Sequence, residues 1–230
     1  MIMVGSAKFE FATSASQTQN HTKLDHDPSK IQQFPNLSFT DNNFKGSQSI
    51  KVVPIEDYIK AGKIAAEVRE MVRVKDWIGK SVYEICEEVE GEIKKRGAKC
   101  AFPVNASINE IAAHYTAEPN DPITIKDTDL VKIDLGAQIN GYIADTAVTV
   151  CYDAQFDGLV QAAEDALSSA MSMIKTGVKA SDIGRTIEST IKQMGFKPIA
   201  NLSGHSLEQY TIHAGRSIPN IWSIGGFSLS

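Results

Sequence analysis

The sequence has no long apolar run, few cysteines and no excess of basic residues. No hydrophobic stretch approaches the roughly 20 residues that span a bilayer, and the opening Met1-Ile-Met-Val lacks the length and the basic flank of a signal peptide. The three cysteines are odd in number and widely spaced, which fits reduced thiols better than a disulfide framework. A net charge of −5 gives no electrostatic reason to expect a nucleic-acid partner. These absences predict a cytoplasmic protein that binds neither membrane nor nucleic acid.

Residues 1–50 show neither helical nor strand periodicity. They are dense in Asn, Gln, Ser, Thr and Asp, and residues 16–29 have almost nothing apolar to bury. His21 and His26 could form a metal pair, but solvated histidines of a tail are the simpler interpretation. We therefore expect a disordered N-terminal extension over residues 1–50 and a catalytic domain over residues 51–230.

The remaining sequence alternates between helical and strand patterns. Apolar spacing predicts a helix from Ile55, and Ser81 with Glu84 forms a capping box that opens a second helix, ended by Gly97. The pattern also predicts a short strand over 100–104, a β-hairpin over 130–151, a helix over about 156–175, and a helix with Ser181 as N-cap and Gly195 at its end. The fold class predicted is α+β.

This order of elements occurs twice. The first copy is marked by Ser81, Gly97, Ser107 and His114, and at offsets of 98 to 100 the second copy repeats these residue types as Ser181, Gly195, Ser206 and His213. The match indicates an internal duplication, with a site built from both copies lying between them. A second hairpin would fall beyond about residue 233, so we expect the second half to be incomplete in this chain.

Asp134 and Asp145 lie in strand-like sequence, where aspartate is disfavoured. A two-residue turn at Asn140-Gly141 would set them diagonally, whereas a four-residue loop over 138–141 would set them opposite each other. Either register puts both carboxylates on one face, about 5 to 8 Å apart. Like charges at about 4 Å repel by ~4 kcal/mol at an effective dielectric of 20. The pair is therefore either a solvated polar face or a site that shares a proton or binds a cation.

Three histidines could complete such a site. His205, in Gly204-His-Ser, is either a structural hydrogen-bonding residue or a ligand. His114 and His213 hold equivalent places in the two copies, which suits a shared site but also suits structural histidines inherited from the duplication. Imidazole with carboxylate ligands suits Zn, Mn, Fe or Co rather than Ca.

Three segments carry a resemblance to a known family. They are FPVNASINEIAAHYTA (102–117), VKIDLGAQINGYIAD (131–145) and GHSLEQYTIHAG (204–215). From about residue 53 to its end the chain resembles type II methionine aminopeptidase. The resemblance implies the pita-bread fold, in which two pseudo-symmetric α/β halves surround a site for two divalent metal ions.

The resemblance also implies metal ligands. Asp134 would chelate one metal ion, Asp145 would bridge both ions, and His205 would be the imidazole ligand. Two further ligands of the family, both glutamates, would lie beyond Ser230. We therefore expect three of five ligands here, and a poor or inactive enzyme from this chain alone.

The remaining roles concern the substrate. His114 and His213 would be catalytic residues that contact the substrate's amino terminus and the scissile peptide. Phe102 and Ile212 would help to line the pocket for the methionine side chain.

The function implied is metal-dependent removal of the N-terminal methionine from peptides and nascent chains. The cofactors would be two ions of Co, Mn, Fe or Zn, and the protein would be a monomer with the ribosome as a further partner. Two alternatives stay open: a non-catalytic binding protein of the same fold, and a proline-specific peptidase of the same fold.

Residues 1–50 are expected to be dispensable for folding, because they cannot bury enough apolar surface to offset the entropy lost on ordering. Limited proteolysis followed by mass spectrometry should leave a stable core that starts near Lys51. Protection of the extension from protease would contradict this domain boundary.

Overall fold

The computed structural model describes residues 54–229, so the expected extension over residues 1–50 lies outside the described residues. Two helices, four strands, two helices and two strands follow one another in the described chain. The elements are α1 (Ile55–Val74), α2 (Val82–Lys95), β1 (Lys99–Cys100), β2 (Asn105–Ile108), β3 (Leu130–Ile139), β4 (Tyr142–Cys151), α3 (Asp157–Met173), α4 (Ala180–Gln193), β5 (Ser203–His205) and β6 (Ser217–Pro219). No helix within residues 54–229 is long and apolar enough to cross a membrane.

The ends of α2 are set by local sequence, as predicted. The Ser81 hydroxyl accepts from the Glu84 amide, and the Glu84 carboxylate accepts from the Ser81 amide, which completes the capping box. At the other end Gly97 has a φ of +82°, and the Ala98 amide donates to the Ile93 carbonyl. This is the glycine-ended helix stop that the sequence predicted.

Strand β3 is the centre of the main sheet. β4 pairs antiparallel with it over ten residues, while β1 and β2 pair end to end along its other edge. Asn140 and Gly141 have φ values of 52° and 86°, which suit the two-residue type I′ turn. Asp145 therefore lies opposite Gly136, so the diagonal register is confirmed and the four-residue loop is wrong.

The two faces of this sheet differ in chemistry. One face carries Val131, Ile133 and Leu135, fully buried against α1 and α2. Each such side chain contributes about 1.5 to 3 kcal/mol when it leaves water. Because side chains alternate, Lys132 and Asp134 point to the opposite face. The helices therefore stabilise one face and leave the other for polar groups.

A second apolar cluster joins α3, α4 and β6. Three alanines of α3 pack against an isoleucine row of α4, which places the two helices close together. The cluster consists of Ala162, Ala166, Ala170, Ala180, Ile183, Ile187, Ile191 and Ile218. An alanine built at Gly184 would come within 2.5 Å of the Ile221 carbonyl, so α4 needs a glycine where the chain after β6 crosses it.

The duplication is visible in the backbone hydrogen bonds. Helices α2 and α4 have equal length and start 98 residues apart, at 82 and 180. The Gly79 amide donates to the Ile125 carbonyl at 2.8 Å, and the Gly177 amide donates to the Leu229 carbonyl at 2.7 Å. The same chain path is therefore built twice from different side chains.

Two local predictions are wrong. Ser181 is not an N-cap, because α4 begins at Ala180 with Lys179 in the capping position. Residues 100–104 do not form one strand: β1 ends at Cys100 and β2 begins at Asn105. A bend between them, with Pro103, lets both short strands use one edge of β3.

Replacing Gly97 by alanine is expected to lower the free energy of unfolding by about 1 to 2 kcal/mol, because a Cβ is penalised in the left-handed conformation. Nothing lies within 4 Å of the added Cβ, so no clash contributes. Urea denaturation would measure the change.

Gly91 is the matched control, because it lies inside α2 and its added Cβ also meets nothing within 4 Å. Gly91→Ala should raise the free energy of unfolding by about 0.5 to 1 kcal/mol. Equal effects of the two substitutions would contradict the assignment of Gly97 as the helix stop.

Candidate metal centre

The two aspartates lie on the polar face of the central sheet. Asp134 is in β3, opposite Ala147, and Asp145 is in β4, opposite Gly136. Both are buried, at 7% and 1% exposure. Their diagonal positions correspond to about 7 to 8 Å between backbones, with less between side chains. The alternative of a solvated polar face is therefore wrong.

His205 approaches Asp145 from the second half of the chain. Its Nε2 lies 3.5 Å from the Asp145 Oδ2, and the two side chains are only 10% and 0% exposed. This distance is longer than the 2.7 to 3.2 Å usual for an N–H···O hydrogen bond. Carboxylate and imidazole on one ion, each at about 2.0 to 2.2 Å, would stand about 3.4 Å apart in tetrahedral geometry.

His213 lies against His205. The two ring centroids are 4.4 Å apart and the rings meet edge to face at 68°. The loop between them is closed by the Ala214 amide, which donates to the Ser206 carbonyl at 2.9 Å. The structure therefore brings together Asp145, His205 and His213, with Asp134 on the same sheet face.

Two hydrogen bonds hold this loop against the first half. The Tyr210 amide donates to the Gly141 carbonyl at 2.8 Å, and the Gln209 side-chain amide donates to the Asn140 carbonyl at 2.9 Å. A Cβ built on Gly141 would come within 2.5 Å of the Tyr210 ring, so the ring rests on the glycine. The turn that ends β3 is thus the docking point for residues 206–214, the histidine loop.

Phe102 lies beside the aspartates. A Cβ built on Gly136 would come within 2.3 Å of its ring, and Gly136 is the partner of Asp145 in the sheet. The glycine leaves room for an aromatic ring at the buried carboxylates. The role of Phe102 in a pocket for the methionine side chain stays a prediction.

His114 and Ile212 are less closely tied to the centre. His114 is exposed and has a φ of +66°, while Ile212 is half-buried next to His213. The expected equivalence of His114 and His213 is not reproduced by the backbone. The Tyr115 backbone amide donates to the Ser107 hydroxyl, and the Arg216 backbone amide donates to the Ser206 hydroxyl. The second loop is two residues longer, so His114 matches Gly215, which also has a positive φ.

The donor set fits a divalent metal ion in part. Within residues 54–229, no group of three His, Cys, Asp or Glu side chains is arranged as a complete metal site. The close pair is Asp145 with His205, and buried carboxylate with imidazole is the combination that suits transition metals. Asp134 faces the same space from the neighbouring strand.

The cysteines offer no competing chemistry. All three are free thiols, and burial raises the pKa of Cys86 to about 11. A thiol in that state is a poor nucleophile at neutral pH.

Known proteins match most of the described chain. The sequence profile described as metallopeptidase family M24 matches residues 56–228. A methionine aminopeptidase of Methanothermus fervidus is 43% identical over 181 residues, which cover 73% of this chain and 96% of that protein. The chain belongs to metallopeptidase family M24.

Two further M24 relatives show how much of each chain is shared. A methionine aminopeptidase of Pyrococcus abyssi is 52% identical over 168 residues, and the chain spans 57% of that relative's length. The solved structure of a methionine aminopeptidase of Thermotoga maritima has a TM-score of 0.67 at 30% identity, with 74% of this chain and 72% of that one covered. The M24 chain described here therefore has the pita-bread fold, as the sequence predicted.

The sequence did not indicate the residues that dock the two halves of this M24 chain. Asn140-Gly141 predicted a turn, but nothing local shows that Gln209 and Tyr210 lie against it. The burial of Lys132 was not predicted either: it is 6% exposed on the sheet face that carries the aspartates. Alternation along β3 was the available signal, because Lys132 is two residues from Asp134.

Replacing Tyr210 by alanine is expected to loosen the histidine loop, because the ring resting on Gly141 would be lost. The imidazole NMR signals of His205 and His213 should then shift or broaden. Tyr210→Phe is the matched control and should leave them unchanged, since only the ring makes the contact. Unchanged signals in Tyr210→Ala would show that the two hydrogen bonds to Asn140 and Gly141 alone position the loop.

Proposed function

We propose that this M24 chain provides the methionine-aminopeptidase site of a protein that removes N-terminal methionine from peptides. The observation that carries the proposal is the 3.5 Å approach of His205 to Asp145, which joins a ligand pair from the two halves of the fold. The relatives at 52% and 43% identity carry the name methionine aminopeptidase, which supports the same activity.

Asp134, Asp145 and His205 are the residues that would hold metal. We propose two divalent ions of Co, Mn, Fe or Zn, because the family is one of metallopeptidases and the donors are oxygen and nitrogen. Divalent ions at such a site supply Lewis acidity, which acidifies a bound water molecule and polarises a carbonyl group.

The protein's own side chains would orient the peptide. His213, which contacts His205, would donate a hydrogen bond to the scissile carbonyl oxygen and stabilise the charge that develops there. Phe102 and Ile212 would contact the methionine side chain, and His114 the amino terminus. An apolar pocket discriminates by about 1 to 3 kcal/mol per methylene group.

Two alternatives are less well supported. A non-catalytic relative would have no need to bury Asp145 beside an imidazole, since burying a carboxylate is costly. A proline-specific peptidase shares the fold, but the relatives at 52% and 43% identity are methionine aminopeptidases. We further propose cytoplasmic location and nascent chains as partners, which the three free thiols suit.

His205→Ala is expected to weaken binding of Mn or Co by at least about tenfold, because even outer-shell partners of a ligand contribute 10- to 100-fold. Isothermal titration calorimetry measures this binding. Methionine release from Met-Ala-Ser, with any turnover dependent on added metal, should fall in parallel.

His26→Ala is the control, because it removes an imidazole of the expected N-terminal extension instead of one from the proposed ligands. Metal affinity should not change in this variant. Equal affinity in His205→Ala and the unmodified chain would remove His205 from the ligands. Faster cleavage of Met-Pro than of Met-Ala-Ser would favour the proline-specific alternative.

A further inference from the structure

Each loop that carries a histidine begins at a serine, Ser107 for His114 and Ser206 for His213. Ser107 lies in β2 opposite Lys132, and Ser206 directly follows β5. Because residues opposite each other share a face of the sheet, the buried Ser107 lies on the face that carries the aspartates. Neither serine has a role in the proposed chemistry, so the hydrogen bonds that both make need another explanation.

The two serine hydroxyls close their loops in the same way. The Tyr115 backbone amide donates to Ser107 Oγ at 3.3 Å, and beside it the Ala106 amide donates to the Tyr115 carbonyl at 2.8 Å. The Arg216 backbone amide donates to Ser206 Oγ at 3.1 Å, and the Ser206 amide donates to the Arg216 carbonyl at 2.9 Å. The base of each loop is therefore held by one bond to a serine side chain and one bond between backbone groups.

One additional bond takes up the greater length of the second loop. Ala214, the residue after His213, donates its amide to the Ser206 carbonyl at 2.9 Å. In the first loop the residue after His114 is Tyr115, whose amide binds the serine of that loop. In both loops, therefore, the residue that follows the histidine is hydrogen-bonded to the serine at which the loop begins.

This bond explains why two histidines from different ends of the histidine loop touch. His205 directly precedes Ser206, and His213 directly precedes Ala214, so the bond between Ser206 and Ala214 sets the two histidines close to each other. Their ring centroids are 4.4 Å apart. The position of His213 relative to the proposed ligand His205 thus depends on how Ser206 closes the loop.

We infer that Ser206 and Ser107 are positioning residues, which fix where the histidines of their own loops lie. Ser206 holds His213 against His205, and Ser107 holds the end of the loop that carries His114. The inference rests on the proposed function only for the chemical roles of the histidines. The duplication has kept the serine that closes each loop, although the two histidines no longer match in backbone position.

The NMR signals of the five histidines in the whole chain test the inference, and Ser206→Ala is the first variant. Alanine keeps the backbone bonds of residue 206 and removes only the acceptor of the Arg216 amide, which should exchange with solvent about two- to tenfold faster. The NOE between the ring protons of His205 and His213 should weaken, whereas the His114 signals should not change. Ser206→Thr keeps the hydroxyl and should restore the NOE. An unchanged NOE in Ser206→Ala would overturn the inference.

Ser107→Ala is the matched variant in the other loop. It should shift the His114 signals and leave the NOE between His205 and His213 unchanged, because each serine holds only its own loop. Altered signals of all three histidines in both alanine variants would indicate a general loosening of the fold and would contradict a positioning role.

Calorimetry with Mn separates this inference from the proposed function. If His205 is a ligand, Ser206→Ala should weaken Mn binding by about tenfold, as loss of an outer-shell partner does. A weakened NOE with unchanged Mn affinity in both Ser206→Ala and His205→Ala would support the positioning role and remove His205 from the ligands. An unchanged NOE with weakened Mn binding in His205→Ala would keep His205 as a ligand and overturn the role of Ser206.

Discussion

The contact between the histidine loop, residues 206–214, and the hairpin turn at Asn140-Gly141 joins the two halves of the fold beside Asp145 and His205. Asp145 belongs to the first half and His205 to the second, with α3 and α4 between them along the chain. Two hydrogen bonds to carbonyls of the turn set the position of the loop. The turn is held in its own place by Asn140, whose side chain donates to Asp57 of α1 at 3.1 Å. Helix α1, the hairpin and the histidine loop therefore position one another at a single point.

One face of the central sheet is apolar and stabilises the fold, whereas the opposite face carries charged residues. Its helix-covered face is aliphatic and supplies most of the apolar burial of the first half. The opposite face buries Lys132, Asp134 and Asp145, which is costly unless charge is balanced. A protein selected for stability alone would place apolar residues at these positions. The burial of Asp134 and Asp145 on the less stabilised face is therefore better explained by function than by stability.

Local sequence predicted the local structure well. The capping box of α2, its glycine stop and the Asn-Gly turn depend on residues a few positions apart, and each is present. The prediction of Ser181 as an N-cap was wrong, because Ser181 lies inside α4 and does not occupy the capping position that Ser81 has in α2. The docking of Gln209 on Asn140 joins residues 69 positions apart, so no short window of sequence contains it. For the register of β3 with β4 the sequence left two turns open, and the structure has the two-residue one.

The two halves repeat a backbone path but contribute different donors. The first half supplies carboxylates from a hairpin, and the second supplies imidazoles from β5 and the following loop. Residue-by-residue equivalence has been lost, since His114 corresponds in backbone pattern to Gly215. Carboxylate and imidazole therefore meet only when the halves are docked. A cation that binds both must bind the docked arrangement more tightly than the separated one, and by linkage it stabilises that arrangement by RT ln(1 + [L]/Kd). If a metal ion binds both residues as proposed, its binding and the docking of the histidine loop are therefore coupled equilibria.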